Sequence, residues 1–337
     1  MKYFHYQQPF TLESGQVLPE ITIAYSTHGK RNEAQDNVVW VCHALTANAA
    51  VQDWWPGFVG PDCLINPDQH FIVCANILGS CYGSTGPLSI HPKKGQPYYH
   101  TFPLITIRDM VRAHQLLCEH LNIKKIHLLI GGSMGGYQAL EWCALQPSLI
   151  DRLFLIATSA RESAWGIAIH TTQRLAIEAD STWHEATDKA GQQGLKAARA
   201  IGMLTYRSYA TYAATQMDGD LNKLDHFKAS SYIHYQGTKL VNRFNAYSYW
   251  FLTKAMDSHN LARGRCESVE TTLQSIHQKT LVMGIKSDLL CPVIEQETMA
   301  QYMPNAELEI IDSLYGHDGF LLETEQISKA VSKWLSA

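Results

Sequence analysis

The sequence feature that most constrains the fold is a glycine-rich turn, Gly131-Gly132-Ser133-Met134-Gly135-Gly136, between an apolar run and a helical segment. Residues 126–130 are the apolar run, typical of a buried strand, and residues 137–145 have a helical composition that Pro147 brings to an end. The glycines have a steric purpose, because only residues without a Cβ let the strand and the helix pack closely around a sharply turned Ser133. The turn therefore predicts a strained backbone at Ser133 and a hydroxyl group exposed above the sheet.

This strand–turn–helix pattern is typical of the nucleophile elbow, Gly-x-Ser-x-Gly, of α/β-hydrolase folds. In that arrangement the serine hydroxyl lies at the N-terminus of a helix, whose amides and dipole stabilise a developing negative charge. We therefore expect Ser133 to act as a catalytic nucleophile.

Strand and helix patterns alternate along the first half of the chain. The predicted strands are residues 21–27, 38–45, 71–78, 126–130 and 153–157. Continuous apolar runs such as 38–45 indicate strands buried on both faces of a parallel sheet, whereas residues 21–27 indicate an antiparallel edge strand. Thr106 is expected to cap a helix that extends to about Leu121. The alternation predicts an α/β fold with a mostly parallel sheet and helices on both faces.

The pattern changes at about Arg161, after which the chain is largely helical and has no convincing strand. We interpret this segment as a helical lid inserted over the carboxyl edge of the sheet. The predicted divisions are a core formed by residues 1–160 and 279–337 and a lid formed by residues 161–278. The last core segment contains strands 280–285 and 308–311 and a closing helix, 324–335.

A serine nucleophile needs a base, and the base needs an acid that orients it. In this fold the acid and then the histidine follow the serine along the chain, on loops after later strands. Asp288 follows the strand that ends at residue 285, and His317 follows the strand that ends near residue 311. We therefore predict Asp288 as the acid and His317 as the base. Asp312 is a competing acid, but it lies too close to the end of the strand before His317.

The oxyanion of the reaction needs two backbone donors. The first is predicted to be the amide of Met134, the residue after the nucleophile. The second is expected from the loop after the strand that ends at Leu45, from Leu45 or Thr46. The glycine- and proline-rich stretch 79–97 is predicted to be a long functional loop.

Composition excludes several classes of partner. A net charge of −4 gives no global affinity for nucleic acid or for an anionic membrane. The first eight residues lack the apolar core of a signal peptide, and no apolar run approaches the roughly 20 residues that cross a bilayer. The eight cysteines show no Cys-x-x-Cys pairing, as expected of reduced thiols in a cytoplasmic protein.

Two cofactor classes are also disfavoured. The histidines form no metal-ligand pattern with a third partner, so we predict no metal site. No Gly-x-Gly-x-x-Gly motif follows the early strands, so we predict no dinucleotide site.

Several stretches resemble one family, the homoserine O-acetyltransferases of the α/β-hydrolase superfamily. The stretches are residues 43–46, 79–87, 102–113, 131–142, 235–237, 243–244, 255–257 and 312–318. They occur in order over nearly the whole chain, which makes the resemblance far more specific than the serine turn alone.

The resemblance implies transfer of an acetyl group from acetyl-CoA to the hydroxyl of homoserine in the methionine pathway, through an acyl-serine intermediate. It implies acetyl-CoA as co-substrate without a permanently bound cofactor, and a homodimer joined through the lid helices. It also implies that Arg199, Tyr206 and Asp318 bind the substrate. Homoserine is a zwitterion, and Arg199 offers donors for its carboxylate while Asp318 accepts from its ammonium group.

Three alternatives remain open at this point. The donor could be succinyl-CoA, the acceptor could be serine, or the protein could be an esterase or amidase in which water is the second nucleophile. An esterase has no need for Arg199 and Asp318 to converge on an amino acid.

Overall fold

An eight-stranded sheet forms the centre of the computed structural model, which describes residues 1–337. The strands of the protein are β1 (Lys2–Tyr6), β2 (Phe10–Thr11), β3 (Val17–Leu18), β4 (Ile21–His28), β5 (Val38–Cys42), β6 (Phe71–Ala75), β7 (Ile126–Gly132), β8 (Ile150–Ile156), β9 (Lys279–Ile285) and β10 (Ala306–Ile311). The order in the large sheet is β1-β4-β6-β5-β7-β8-β9-β10, and β2 pairs with β3 in a separate hairpin.

Twelve α-helices accompany the strands. They are α1 (Val51–Trp54), α2 (Ile107–His120), α3 (Met134–Leu145), α4 (Ala164–Glu178), α5 (Gln192–Tyr206), α6 (Tyr209–Gln216), α7 (Lys228–Val241), α8 (Ala246–Asp257), α9 (Val269–Gln274), α10 (Val293–Tyr302), α11 (Gly319–Leu322) and α12 (Thr324–Ser336). None of these helices is both long enough and apolar enough to span a bilayer.

The sheet is parallel from β6 to β10 and antiparallel at the side of β1 and β4. The predicted edge position of residues 21–27 is wrong, because β1 pairs antiparallel with β4 and forms the edge. The side chains of β1 are exposed or only partly buried, so this strand has no apolar run that marks it in the sequence.

Alternate residues of the central strands face two separate hydrophobic clusters. In β5, Val38 and Trp40 pack into the cluster that contains residues of α2 and α3. Val39 and Val41 pack on the opposite face, in the cluster that contains residues of α12. Both faces of the sheet are therefore covered by helices, as the continuous apolar runs predict.

Two predicted helix boundaries are confirmed. Thr106 caps α2, and its side chain accepts a hydrogen bond from the amide of Asp109, whose carboxylate accepts in return from the amide of Thr106. Helix α3 ends at Leu145, before Pro147.

Two apolar runs extend beyond the strands that they contain. Strand β5 ends at Cys42 and not at Leu45, and β6 ends at Ala75 and not at residue 78. The residues beyond these ends are buried in loops rather than paired in the sheet. The side chain of Asn76 holds two of these loops together, because its Oδ1 accepts from the amide of Ala49 and its Nδ2 donates to the carbonyl of Tyr82.

The stretch 79–97 extends the pairing of β4 beyond β6. The hydroxyl of Ser84 accepts from the amide of Ala24, and that of Thr85 accepts from the amide of Thr22. These contacts are structural, and none of residues 79–97 lines the cavity at Ser133 that is described below.

Between β8 and β9 the chain contains only helices, α4 to α9. An isolated bridge joins Arg161, near the start of this segment, to Asn260, which lies between α8 and α9. The division into a core and a lid at residues 160 and 278 stays a proposal, and the absence of any strand between β8 and β9 supports it.

Candidate active site

The turn between β7 and α3 holds Ser133 with φ 54° and ψ −128°, a conformation that residues with a side chain rarely adopt. A Cβ on Gly135 would collide with the carbonyl oxygen of Cys42, and a Cβ on Gly136 would collide with the side chain of Thr158. The predicted strain at Ser133 and the predicted steric purpose of the glycines are therefore confirmed.

The structure brings the three side chains Ser133, His317 and Asp288 together in one hydrogen-bonded chain. The Oγ of Ser133 lies 2.9 Å from Nε2 of His317, and Nδ1 of His317 lies 2.7 Å from Oδ2 of Asp288. The other oxygen of Asp288 accepts from the amides of Leu290 and Cys291 at 2.8 and 2.9 Å. Because the carboxylate accepts from Nδ1, the lone pair of the imidazole is on Nε2 and faces the serine hydroxyl.

Buried charges near His317 change its basicity. Burial alone lowers the pKa of His317, but the adjacent Asp288 carboxylate, together with Asp318 and Glu162, outweighs it, and the pKa is raised above its ordinary value of 6.5. The ring therefore attracts a proton more strongly than a free histidine does. Asp312 is exposed and lies in an ion pair with Lys286 at 3.6 Å, away from this chain of hydrogen bonds.

Backbone amides without a partner lie beside Ser133. Met134 is the first residue of α3, where an N–H group has no partner within the helix. The amides of Leu45 and Thr46 make no hydrogen bond in the protein, and both residues line the same cavity as Ser133. These three amides are the donors that the sequence predicts for an oxyanion.

The hydroxyl of Ser133 opens into a cavity of about 390 Å³ between the sheet and the lid. Arg199 and Tyr206 of α5 line it, and the guanidinium of Arg199 lies 5.1 Å from the centre of the Tyr206 ring. Arg199 makes no ion pair and no hydrogen bond in the protein. The cavity therefore holds a cation that is free to bind an anion.

Asp318 also lines the cavity, but it already has a partner within the protein. Its Oδ2 lies 2.9 Å from Nε of Arg207, the residue that follows α5. Burial raises the pKa of Asp318, although Arg207, Arg199 and His317 oppose that effect. Arg207 is not predicted from the sequence, because no local pattern distinguishes it from the other arginines of the lid.

A second histidine in the cavity, His170 of α4, was not predicted. Its Nδ1 lies 2.9 Å from Oδ1 of Asp257 at the end of α8. The other oxygen of Asp257 accepts from Arg174 at 2.5 Å. These residues are 83 to 87 positions apart in the sequence, so only the packing of α4 against α8 brings them together.

The lid is bonded directly to the loop that carries His317. The hydroxyl of Ser208 donates to the carbonyl of Leu314 at 2.6 Å, and the hydroxyl of Thr211 donates to the same carbonyl. Together with the ion pair between Arg207 and Asp318, these bonds fix the start of α6 against this loop.

One group of side chains has the donor types of a metal site. Ligand atoms of Asp288, Cys291 and His317 lie within 4.8 Å of one another. Two of these side chains already share the hydrogen bond of 2.7 Å, and a metal ion would have to replace it. The absence of a metal stays a prediction.

Comparison with known proteins identifies the family. A family model described as the α/β-hydrolase fold matches residues 37–324. The homoserine O-acetyltransferase of Cyclobacterium marinum is 46% identical over 324 residues, which cover 96% of this chain and 92% of that protein. The chain belongs to the homoserine O-acetyltransferase family. The predicted family and the predicted α/β-hydrolase fold are both confirmed.

Solved structures show how widely this fold is shared. The crystal structure of homoserine O-acetyltransferase from Bacillus anthracis has a TM-score of 0.91 at 24% identity and covers 100% of this chain and 97% of its own. Esterase E22 has a TM-score of 0.89 at 22% identity, with 99% of both chains covered. Members of the homoserine O-acetyltransferase family and an esterase therefore share this fold, and the fold alone does not distinguish acyl transfer from hydrolysis.

Proposed function

We propose that this protein transfers the acetyl group of acetyl-CoA to the hydroxyl of L-homoserine, with Ser133, His317 and Asp288 as its catalytic triad. The observation that carries the proposal is the unpaired guanidinium of Arg199 in the cavity that also receives the hydroxyl of Ser133. An esterase that uses water needs no such cation, whereas an amino-acid acceptor brings a carboxylate that must be held. The family of the chain supports the same substrate.

In the first half-reaction, Oγ of Ser133 attacks the thioester carbon as its proton moves to Nε2 of His317. The amide of Met134 and that of Leu45 or Thr46 stabilise the oxyanion of the tetrahedral intermediate. When the carbon–sulfur bond breaks, the same proton passes from His317 to the sulfur, and CoA leaves as a thiol. No permanently bound cofactor takes part.

In the second half-reaction, the homoserine hydroxyl attacks the acetyl-serine and its proton moves to His317. The proton then returns to Oγ of Ser133 as the ester of homoserine is released. Arg199 binds the carboxylate of the acceptor, with Tyr206 packed beside it, and Asp318 accepts from the ammonium group through the oxygen that Arg207 does not hold.

A thiol-release assay tests the proposal. Acetyl-CoA and succinyl-CoA are each combined with homoserine, serine or water, and free CoA is measured. We expect rapid release only with acetyl-CoA and homoserine. Equal release with and without an amino acid would make the protein a thioesterase, and faster release with succinyl-CoA or with serine would assign the corresponding alternative.

The pH dependence of acylation follows from the raised pKa of His317. Only the neutral ring accepts the proton of Ser133. The rate constant of the CoA burst should therefore rise with pH and reach half its maximum above pH 6.5. Asp288→Asn removes the main charge that opposes burial, so the midpoint should move to lower pH while the rate falls. A pH profile of the burst in both proteins measures this, and an unchanged midpoint would contradict it.

We also propose a cytoplasmic homodimer joined through the lid helices. The apolar side chains of the lid that are more than half exposed include Leu204, Tyr209, Met217, Leu221 and Leu224. An apolar surface of this kind favours association. Sedimentation equilibrium should give twice the chain mass of 37.9 kDa, and the double variant Leu221→Asp with Leu224→Asp should give a monomer.

All eight cysteines are unpaired, in accord with a reducing compartment.

A further inference from the structure

The opening of the cavity at Ser133 is lined by charged side chains. Of the 19 residues that line the cavity, only Asp53, Lys239 and Arg243 are exposed, and the others are buried or half-buried. Ser133 itself is only 7% exposed. The three exposed residues therefore mark where the cavity meets solvent, and we call them the cavity mouth. Asp53 belongs to α1, Lys239 to the last turn of α7, and Arg243 follows that helix.

The two cations of the mouth have no anionic partner in the protein. Neither Lys239 nor Arg243 makes an ion pair. The ammonium group of Lys239 makes no hydrogen bond, and it lies 6.0 Å from the centre of the Tyr235 ring. The carboxylate of Asp53 makes no ion pair either. The mouth thus has two cations and one anion, and its excess positive charge favours an anionic ligand.

Arg243 keeps one edge of its guanidinium group free. Its Nη1 donates to the carbonyl of Thr46 at 2.5 Å and to the hydroxyl of Tyr82 at 2.9 Å, and its Nη2 donates to the hydroxyl of Thr46 at 3.3 Å. These bonds hold the side chain in place and leave Nε–H and one N–H of Nη2 without a partner. The two free donors share one edge of the planar group. Such a pair matches the oxygen atoms of a phosphate group.

The size of the cavity indicates which part of a substrate reaches the mouth. Its volume of about 390 Å³ is near the lower end of the range of about 300–1,000 Å³ that is usual for small-molecule sites. Acetyl-CoA has its thioester at one end of a long neutral arm and its phosphate groups towards the other end. When the thioester carbon is at Ser133, the arm occupies the cavity and the phosphates lie at its opening. Homoserine is short enough to be enclosed beside Arg199.

We propose that Lys239 and Arg243 bind a phosphate group of the acyl donor at the cavity mouth. The inference rests on the proposed function, and it assigns the two substrates to different cations. The donor is held by the mouth and the carboxylate of the acceptor by Arg199. Because the mouth is exposed, salt should weaken the attraction between it and a phosphate group.

Two thioesters that differ in their phosphates test the proposal. Acetyl-CoA carries phosphate groups, whereas S-acetyl-N-acetylcysteamine has the same thioester and no charge. The burst of free thiol is measured without an acceptor at increasing concentrations of each donor. For Lys239→Gln we expect the half-saturating concentration of acetyl-CoA to rise about three- to tenfold, with an unchanged maximal rate. The neutral donor should be unaffected, and Lys239→Arg should restore most of the loss with acetyl-CoA.

Arg243 requires a comparison of the two donors, because it also holds Thr46 beside the oxyanion site. For Arg243→Gln, the loss with acetyl-CoA should exceed the loss with the neutral donor by about three- to tenfold. Raising the salt concentration should weaken the response of the wild-type protein to acetyl-CoA and leave its response to the neutral donor unchanged.

The matched control is Lys228→Gln, which removes the same charge from the opposite end of α7, outside the cavity. It should change the response to neither donor. An equal effect of Lys239→Gln on both donors, or no effect on acetyl-CoA, would overturn the proposal. A rise confined to the KM of homoserine would also overturn it, by placing the acceptor at the mouth. Because the burst needs no acceptor, wild-type protein that gives the burst but fails to use homoserine would refute the proposed function and not this site.

Discussion

Replacing Ser133 by alanine is expected to lower acetyl transfer by at least about ten-thousand-fold while the protein remains folded. The variant loses the atom that attacks the thioester, and neither His317 nor the oxyanion donors can replace it. The alanine side chain keeps the same Cβ in the elbow, and the hydroxyl that is lost makes a single hydrogen bond, to His317. The melting temperature should therefore stay within about 3 °C of the wild-type value.

The covalent intermediate gives this prediction its most direct measurement. Wild-type protein mixed with acetyl-CoA alone should release about one equivalent of CoA per site and gain one acetyl group, which mass spectrometry locates on Ser133. Ser133→Ala should show neither. The matched control is Ser230→Ala, the same change at an exposed position of α7. Release of CoA that requires homoserine, without acyl-protein, would contradict the ping-pong mechanism and favour direct transfer.

Replacing Arg199 by leucine should damage the second half-reaction and spare the first. Acetyl-CoA has no charge at its reacting carbon, whereas homoserine brings a carboxylate that must lose water to enter the cavity. Removing a charge-assisted partner of that carboxylate costs on the order of 2–5 kcal/mol. Deacylation by homoserine should therefore slow by at least about thirtyfold. The burst of CoA and the slow deacylation by water should be nearly unchanged.

A control variant tests whether the position of this charge matters. Lys189→Leu removes one positive charge from an exposed position of the lid outside the cavity, and it should leave both half-reactions unchanged. If Arg199→Leu instead loses the burst and keeps its response to homoserine, Arg199 belongs to the site of the acyl donor. The placement of the acceptor carboxylate would then be wrong.

The sequence was most informative where topology limits the possible positions. The loops after β7, β9 and β10 meet at one edge of the sheet, because parallel strands end on the same side. Ser133, Asp288 and His317 could therefore be predicted from their places after three strands, and the structure places Ser133 and Asp288 each within hydrogen-bond distance of His317.

Features that depend on packing between distant segments could not be predicted in this way. Strand β1 exists only through its pairing with β4, and its own side chains give no apolar pattern. The ends of β5 and β6 were placed too late, because burial in a loop and burial in a sheet select the same residues. His170 and Arg207 lie on lid segments whose mutual arrangement is not encoded by any local spacing.

The bonds between the start of α6 and the loop of His317 couple movement of the lid at this edge to the position of the catalytic base. A lid that opened at the start of α6 would either break the bonds of Ser208 and Arg207 to Leu314 and Asp318 or carry the loop of His317 with it. Opening of the lid at this edge therefore costs either these bonds or the alignment of His317 with Ser133. Entry of substrates through another part of the cavity wall would leave both intact.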